Sequence, residues 1–226
     1  MSEGVTEIAA ERWVREHPDV SRETYVSLQQ LTEELKKWSR AINLVSRGDL
    51  ARLWSRHVAD SLGLLSLTRS AKLWMDIGSG GGFPALPLAI VSRETSPDLA
   101  FVLVEADQRK AAFLRQIAHR LHLNVRVEAA RIEDLPPISP CLISARAWAS
   151  VAEALSWTEN HHAPCTVFAF PKGPNWPVEL TAASERWHMR YQAERHAMLP
   201  NSYMLIIRDV QRADDSGIGG ADRKRR

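Results

Sequence analysis

The segment Asp76-Ile77-Gly78-Ser79-Gly80-Gly81-Gly82-Phe83-Pro84 constrains this chain more than any other. It follows a short apolar run at 72–77 and opens a second apolar stretch, Ala85 to Val91. Glycines let a backbone turn tightly and come close to a ligand without Cβ clashes. In an open parallel sheet, a turn of this kind lies at the carboxyl end of a strand, where ligands bind. The segment therefore predicts a strand, a loop and a crossover helix that together hold a nucleotide-like cofactor.

The surrounding pattern agrees. Short apolar runs recur at 101–105, 125–129, 142–147, 165–170 and 203–209. Helical stretches separate several of them, most clearly Asp107 to Leu121, where Ala111, Phe113, Leu114, Ile117, Ala118 and Leu121 form one face. Strands alternating with helices predict an α/β fold with a mostly parallel sheet. The last pair, about 187–197 and 203–210, is joined by Leu199-Pro200-Asn201-Ser202 and reads as an antiparallel hairpin closing the sheet.

Upstream, the pattern is helical. A short helix ends at His17-Pro18-Asp19, and a longer one covers 21–42. Ser21 is its N-cap, and Tyr25, Leu28, Leu31, Leu35 and Trp38 follow at steps of three or four. A third spans about Leu50 to Leu65, with Leu53, Trp54, Val58, Leu62 and Leu65 on one face. The expected organisation is a helical N-terminal part (1–70), a cofactor-binding domain (71–212) and a disordered basic tail (213–226). A chain of 226 residues is long enough for one such domain with a small extension, and the tail has too little apolar surface to fold.

Composition narrows the classes. With 45% hydrophobic and 25% charged residues the chain reads as a soluble globular protein. No apolar run is long enough to span a bilayer, and Met1-Ser2-Glu3-Gly4 does not begin a signal peptide, so the expected location is the cytoplasm. No heptad or long apolar face demands a partner copy, and a monomer is expected. Cys141 and Cys165 lack ligand spacing and His161-His162 is an adjacent pair, so no metal site is expected. The net charge of +2 does not itself suggest nucleic acid. Local clusters say more: Arg47, Arg52, Arg56, Arg109, Lys110, Arg115, Arg120 and the terminal Arg223-Lys224-Arg225-Arg226 suit a phosphate-binding face or solvated helix faces equally.

The glycine spacing selects the cofactor. A dinucleotide fingerprint counted from Gly78 and Gly80 would need its third glycine at position 83, which is Phe83. No Gly-Lys-Ser/Thr follows, which excludes a P-loop. The observed Asp-x-Gly-x-Gly-x-Gly is typical of class I methyltransferases, which use S-adenosylmethionine. Asp76, Gly78, Gly80, Gly82 and Phe83 are thus candidate cofactor residues. Glu105 closes the second strand, where an acid can accept both hydrogen bonds of a ribose diol. Asp107 is the near alternative but reads better as a helix N-cap. Arg131-Ile132-Glu133 follows the third strand, where class I enzymes commonly hold the adenine, and Arg47-Gly48-Asp49 reads as a turn.

The acceptor atom decides what else is required. Methyl transfer is an in-line displacement in which alignment supplies most of what a protein must provide. Amino-directed nucleic-acid enzymes usually carry Asn/Asp-Pro-Pro-aromatic after the fourth strand; here the stretch is Ser144-Ala145-Arg146-Ala147-Trp148. Cytosine-C5 enzymes need a nucleophilic cysteine, but Pro140-Cys141 and Pro164-Cys165 fall at strand starts and read as buried small hydrophobes. Guanine N7 has a free lone pair and needs neither device. Arg146 is suited to hold the substrate or close over the cofactor.

With these residues in view, the chain resembles the RsmG family, also called glucose-inhibited division protein B. The similarity runs from about Asn43 to Gly173. It rests on Asn43-Leu44-x-Ser46, Arg56-His57-x-x-Asp60-Ser61, the glycine segment, Arg109-Lys110-x-x-Phe113-Leu114-Arg115, Arg131-Ile132-Glu133, Ser144-Ala145-Arg146-Ala147 and Lys172-Gly173. The resemblance implies an S-adenosylmethionine-dependent enzyme forming N7-methylguanosine in the decoding-region loop of 16S rRNA, with that RNA or the small ribosomal subunit as partner. It implies cofactor contacts from Gly78, Phe83, Ile132, Glu133 and Arg146. It also puts His57, Lys172 and Arg146 on the catalytic face, and Arg56, Arg115 and Lys172 on the RNA face. The chain departs from the family at Glu105-Ala106-Asp107, where Asp-Ser is common, at Phe170-Pro171 before Lys172, and in its basic tail. Other readings are a class I methyltransferase acting on a small molecule or protein, a non-catalytic ribosome-binding module of the same fold, and a nicotinamide enzyme, which Phe83 disfavours.

Overall fold

The computed structural model describes residues 5–146 and 149–213. Seven strands form one sheet: β1 (Leu73–Ile77), β2 (Ala100–Val104), β3 (Val125–Glu128), β4 (Leu142–Ala145), β5 (Val167–Lys172), β6 (Trp187–Arg195) and β7 (Tyr203–Arg212). Their order is β3-β2-β1-β4-β5-β7-β6. β1 to β5 are parallel, and β7 runs antiparallel to both β5 and β6. The expected mostly parallel sheet with a terminal hairpin is what forms. The chain moves outward from β1 to β3 and then returns to β4 on the other side of β1. The carboxyl ends of β1 and β4 therefore flank the point where strand order reverses, which is where such sheets bind ligands.

Apolar residues on both sides of each central strand explain why both faces are covered. Along β1, Trp74 belongs to one core, and Met75 and Ile77 to the other. The first core takes α1 (Glu7–Arg15), α2 (Arg22–Trp38), α5 (Ala85–Thr95) and α6 (Gln108–Arg120); the second takes α7 (Val151–Trp157) and α8 (Trp176–Ser184). The caps fall where expected. Ser21 Oγ accepts from Thr24 N–H at 3.0 Å, and Asp107 Oδ1 from Arg109 N–H at 2.8 Å.

Several expectations need correction. The helix expected over Leu50 to Leu65 is broken into α3 (Arg47–Leu50), a π-helical turn (Trp54–Val58), α4 (Ala59–Leu62) and a 3₁₀ turn (Leu65–Arg69). The glutamate Glu7 of α1 accepts the N–H groups of Trp54 and Ser55, each at 2.9 Å, so those donors leave the helical ladder. The expected apolar face is kept: Leu53, Trp54, Val58, Leu62 and Leu65 are all buried. The expected turn at Arg47-Gly48-Asp49 is α3 itself, capped by Ser46. α2 stops at Trp38 rather than at residue 42, in a tight turn where the Ala41 and Ile42 N–H groups both reach back to Trp38 O. Cys141 and Cys165 do precede β4 and β5, at the end away from the glycine loop, but Cys141 is only half-buried and Cys165 is exposed. Ala147, Trp148 and the tail from residue 214 lie outside the described residues.

Candidate active site

The glycine loop forms the floor of a cavity of about 610 Å³ at the carboxyl ends of β1 and β2. Gly78, Gly80 and Gly82 all take positive φ, at 62°, 52° and 86°. A Cβ at Gly82 would lie 2.6 Å from Leu86 Cγ and closer still to its Cδ1, so this glycine lets α5 pack under the loop. At Gly80 a Cβ would meet no protein atom nearer than 3.8 Å, and its position is open to the cavity wall. That cradle suits a ligand brought against the backbone. Glu105 stands beside it: Oε2 accepts from Gly80 N–H at 2.8 Å and Oε1 from Asp107 N–H at 2.9 Å. The carboxylate is thus fixed on the cavity wall with acceptor lone pairs to spare. Ile132 and Glu133 form the opposite wall, and His161 Nε2 anchors their turn at Ile132 O, 3.0 Å away.

Two members of the motif lie elsewhere. Gly82 and Asp76 are beneath the loop, not on the cavity wall. Asp76 is fully buried, with Oδ1 accepting from Ser144 Oγ at 2.5 Å, and that hydroxyl accepts in turn from Trp74 Nε1 at 2.8 Å. Oδ2 has no partner. Burial pushes the Asp76 carboxyl up to about 7, against the pull of its Ser144 hydrogen bond.

Arg146, just past β4, joins this cavity to a second one of about 580 Å³. Its guanidinium donates to the Arg56 carbonyl and to His57 Nδ1, and lies 3.3 Å from Asp60 Oδ2. All three partners come from the π turn and α4. Burial pulls the Arg146 pKa below the ordinary guanidinium value, while Asp60 beside it acts the other way. Because His57 Nδ1 accepts, the ring proton sits on Nε2, which is buried and without a partner. Burial lowers the His57 pKa to about 2, helped by the charges of Arg146, Arg56 and Arg52. Asp60 also takes a hydrogen bond from Ser202 in the β6–β7 turn.

The second cavity carries cations and acids interleaved. Arg52, Arg56 and Lys172 line it together with Asp60 and Glu179. Lys172 Nζ donates to Glu179 Oε2 at 2.7 Å and to Ala149 O at 2.9 Å. Gly78, Gly80, Phe83, Glu105, Ile132, Glu133, His57, Arg146, Arg56 and Lys172 therefore lie on one cavity or the other. Arg115 does not. It lies along the outer flank of α6 and donates to Val127 O at 3.2 Å. Lys110, five residues and so about 1.4 turns earlier, faces the first cavity instead. Among residues with no assigned role, Asp60 was visible inside the Arg-His-x-x-Asp-Ser motif, whereas Glu179 and Ser202 carry no local signal. Among the described residues no group of three His, Cys, Asp or Glu is placed to hold a metal ion, and no helix is long and apolar enough to cross a membrane.

A glycine-loop cavity at the reversal point of a sheet ordered β3-β2-β1-β4-β5-β7-β6 is the class I methyltransferase fold. Solved structures share it at low identity. An O-methyltransferase from Bacillus cereus in complex with SAH superposes with a TM-score of 0.55 and 17% identity, over 90% of this chain and 97% of that one. The O-methyltransferase TomG from Streptomyces achromogenes, in complex with SAM, gives 0.54 and 14%, over 92% and 99%. The chain belongs to the rRNA small subunit methyltransferase G family, whose sequence model matches residues 24–202. Relatives named ribosomal RNA small subunit methyltransferase G include one from Cereibacter sphaeroides, 43% identical over 197 residues, covering 86% of this chain and 94% of the relative. Another, from Gluconobacter oxydans, is 38% identical over 193 residues, covering 85% and 97%.

Proposed function

We propose that this protein transfers a methyl group from S-adenosylmethionine to N7 of a guanine in the decoding region of small-subunit rRNA. The observation that carries this reading is Arg146, which borders both the glycine-loop cavity and the cation-lined one. A donor and an acceptor lodged in the two would meet at its guanidinium. S-adenosylmethionine, when bound, supplies a methyl group on a sulfonium that departs as a neutral thioether. Gly78, Gly80, Phe83, Glu105, Ile132 and Glu133 would hold it, with Glu105 on the ribose side and Ile132-Glu133 beside the adenine.

Guanine N7 attacks through its own lone pair, and no proton has to leave the acceptor. The residues around Arg146 are therefore asked for alignment and exclusion of water, not for acid–base work. The neutral His57 fits that role, because it has no accessible charge change near pH 7. With Lys172 offset by Glu179, the remaining Arg52, Arg56 and Arg146 outweigh Asp60 and give the acceptor cavity the sign that RNA phosphates require. The protein acts as a monomer in the cytoplasm, where its substrate is assembled; a sedimentation mass of two chains would revise the first statement.

The test is transfer of labelled methyl groups to small subunits lacking native N7-methylguanosine, followed by chemical mapping. Label at a single guanine N7 is expected. Intact cofactor binding with no transfer to subunits or free rRNA would point to a small-molecule or protein acceptor.

A further inference from the structure

Outside the second cavity, three aromatic side chains cluster around the end of the hairpin. Trp176, at the start of α8, has its ring 6.1 Å from that of Tyr191 and 6.2 Å from that of Tyr203. The Arg195 guanidinium lies 5.8 Å over the Tyr203 ring. The strand register puts Lys172, Tyr203 and Arg195 side by side across β5, β7 and β6, on one face of the sheet. Lys172 is a wall of the cavity, Ser202 beside Tyr203 is another, and Glu179 lies one turn beyond Trp176. The row thus runs outward from the acceptor cavity.

Packing alone does not account for this cluster. Tyr191 is 55% exposed, one of the few large apolar side chains to be so among the described residues. A row of aromatic rings inclined to one another by 51° and 58°, with an arginine over one of them and a cavity lined by Arg52, Arg56 and Lys172 beside it, matches the chemistry of unpaired nucleotides, whose bases can splay to meet rings at different angles. Bases stack on the rings, and the guanidinium meets the phosphate between them. A duplex hides its base faces and would gain nothing from the rings.

We infer that Trp176, Tyr191, Tyr203 and Arg195 form a stacking platform for the unpaired nucleotides that flank the methylated base. This deepens the rRNA reading and rests on it. The platform acts on substrate binding, so KM carries its signature and kcat does not. Removing one stacked ring, in Tyr191→Ala, is expected to raise KM for unmethylated small subunits roughly 5- to 150-fold with kcat held. Tyr191→Phe keeps the ring and restores KM. Arg195→Ala raises KM and flattens its dependence on salt. An unpaired oligonucleotide is expected to compete with the wild-type enzyme better than its duplex, and to lose that advantage against Tyr191→Ala. Wild-type transfer with an unchanged KM in Tyr191→Ala, or equal competition by duplex and single strand, overturns the platform alone. Cofactor binding without any wild-type transfer to subunits or free rRNA removes the rRNA reading, and the platform with it.

Discussion

The imidazole of His57 lies over the ring of Phe83, with centroids 4.6 Å apart and planes inclined by 30°. This stack ties the π turn to the glycine loop, and with Arg146 on Nδ1 it seals the imidazole from water. His57 is then neutral in the folded protein down to about pH 2, whereas in the unfolded chain it protonates near 6.5. Below pH 6.5 the unfolded chain binds more protons, so His57 removes stability as pH falls, by up to about 1.4 kcal/mol per pH unit.

Asp76 has the opposite slope. It stays protonated in the fold up to about pH 7 but ionises near 3.8 when unfolded. It therefore removes stability as pH rises from about 4 to 7. The two groups offset each other over most of that window. Asp76→Asn deletes one of the two slopes, so its urea midpoint should climb steeply between pH 4 and 6.5 while the wild type changes less. Parallel profiles for the two proteins would contradict this assignment.

Gly81 and Gly82 are neighbours with different duties. Gly82→Ala meets both a positive φ and Leu86, and should cost about 2–5 kcal/mol of unfolding free energy. Gly81→Ala has its nearest neighbour, Val45 Cγ1, at 3.2 Å and borders the cofactor cavity. Its Cβ would also lie 3.3 Å from Leu35 Cδ1 and from Leu44 O, so these neighbours must give by a few tenths of an ångström; the variant should lose less stability than Gly82→Ala and should weaken cofactor binding. Calorimetric titration of both variants separates the two duties, and equal loss of stability would not fit the geometry.

Arg146→Lys keeps the charge but not the planar fork. One ammonium cannot serve Asp60, His57 Nδ1 and the Arg56 carbonyl in their present directions. A misalignment of about 1 Å at such a site costs about a hundredfold. The expected result is a loss of that size in kcat/KM with a folded protein; wild-type kcat/KM would show that Arg146 does not align the acceptor.

Arg56 holds Arg146 through its carbonyl, so its side chain is free to be tested alone. Arg56→Ala should lower the salt slope of RNA binding by about one. Arg115→Ala, outside both cavities, should leave that slope unchanged. If Arg115→Ala lowers the slope as much as Arg56→Ala does, RNA crosses the outer flank of α6 as well.

Most strands, the glycine loop and the α6 cap were legible because each is a local pattern. An apolar run ends in glycines, or an aspartate precedes a periodic face. What carries no local signal depends on parts of the chain that meet only after folding. Glu7 breaks the helix at Trp54 from 47 positions away, and Ser202 reaches Asp60 across 142. Neither pair leaves a trace in periodicity. Arg115 shows the converse: a cation inside a family motif whose helix face turns it away from the site. Asp76 opens the glycine motif, yet it sits underneath as a buried acid, since alternation along β1 puts it on the face shared with Trp74 and Ser144 and not on the cavity wall.

The strand order also sets a schedule for synthesis. β1 is central, yet β4, one of its two neighbours, begins at Leu142. At ~5–20 residues per second, the roughly 65 residues between Ile77 and Leu142 take about 3–13 s to be added. For that interval one edge of β1 has no partner strand, and the site cannot close, because Arg146 has not yet been made. A nascent chain stalled between β3 and β4 would present an unpaired strand edge, with apolar side chains on both faces of the strand, to whatever is nearby, which makes that stretch the point at which a chaperone has the most to shield.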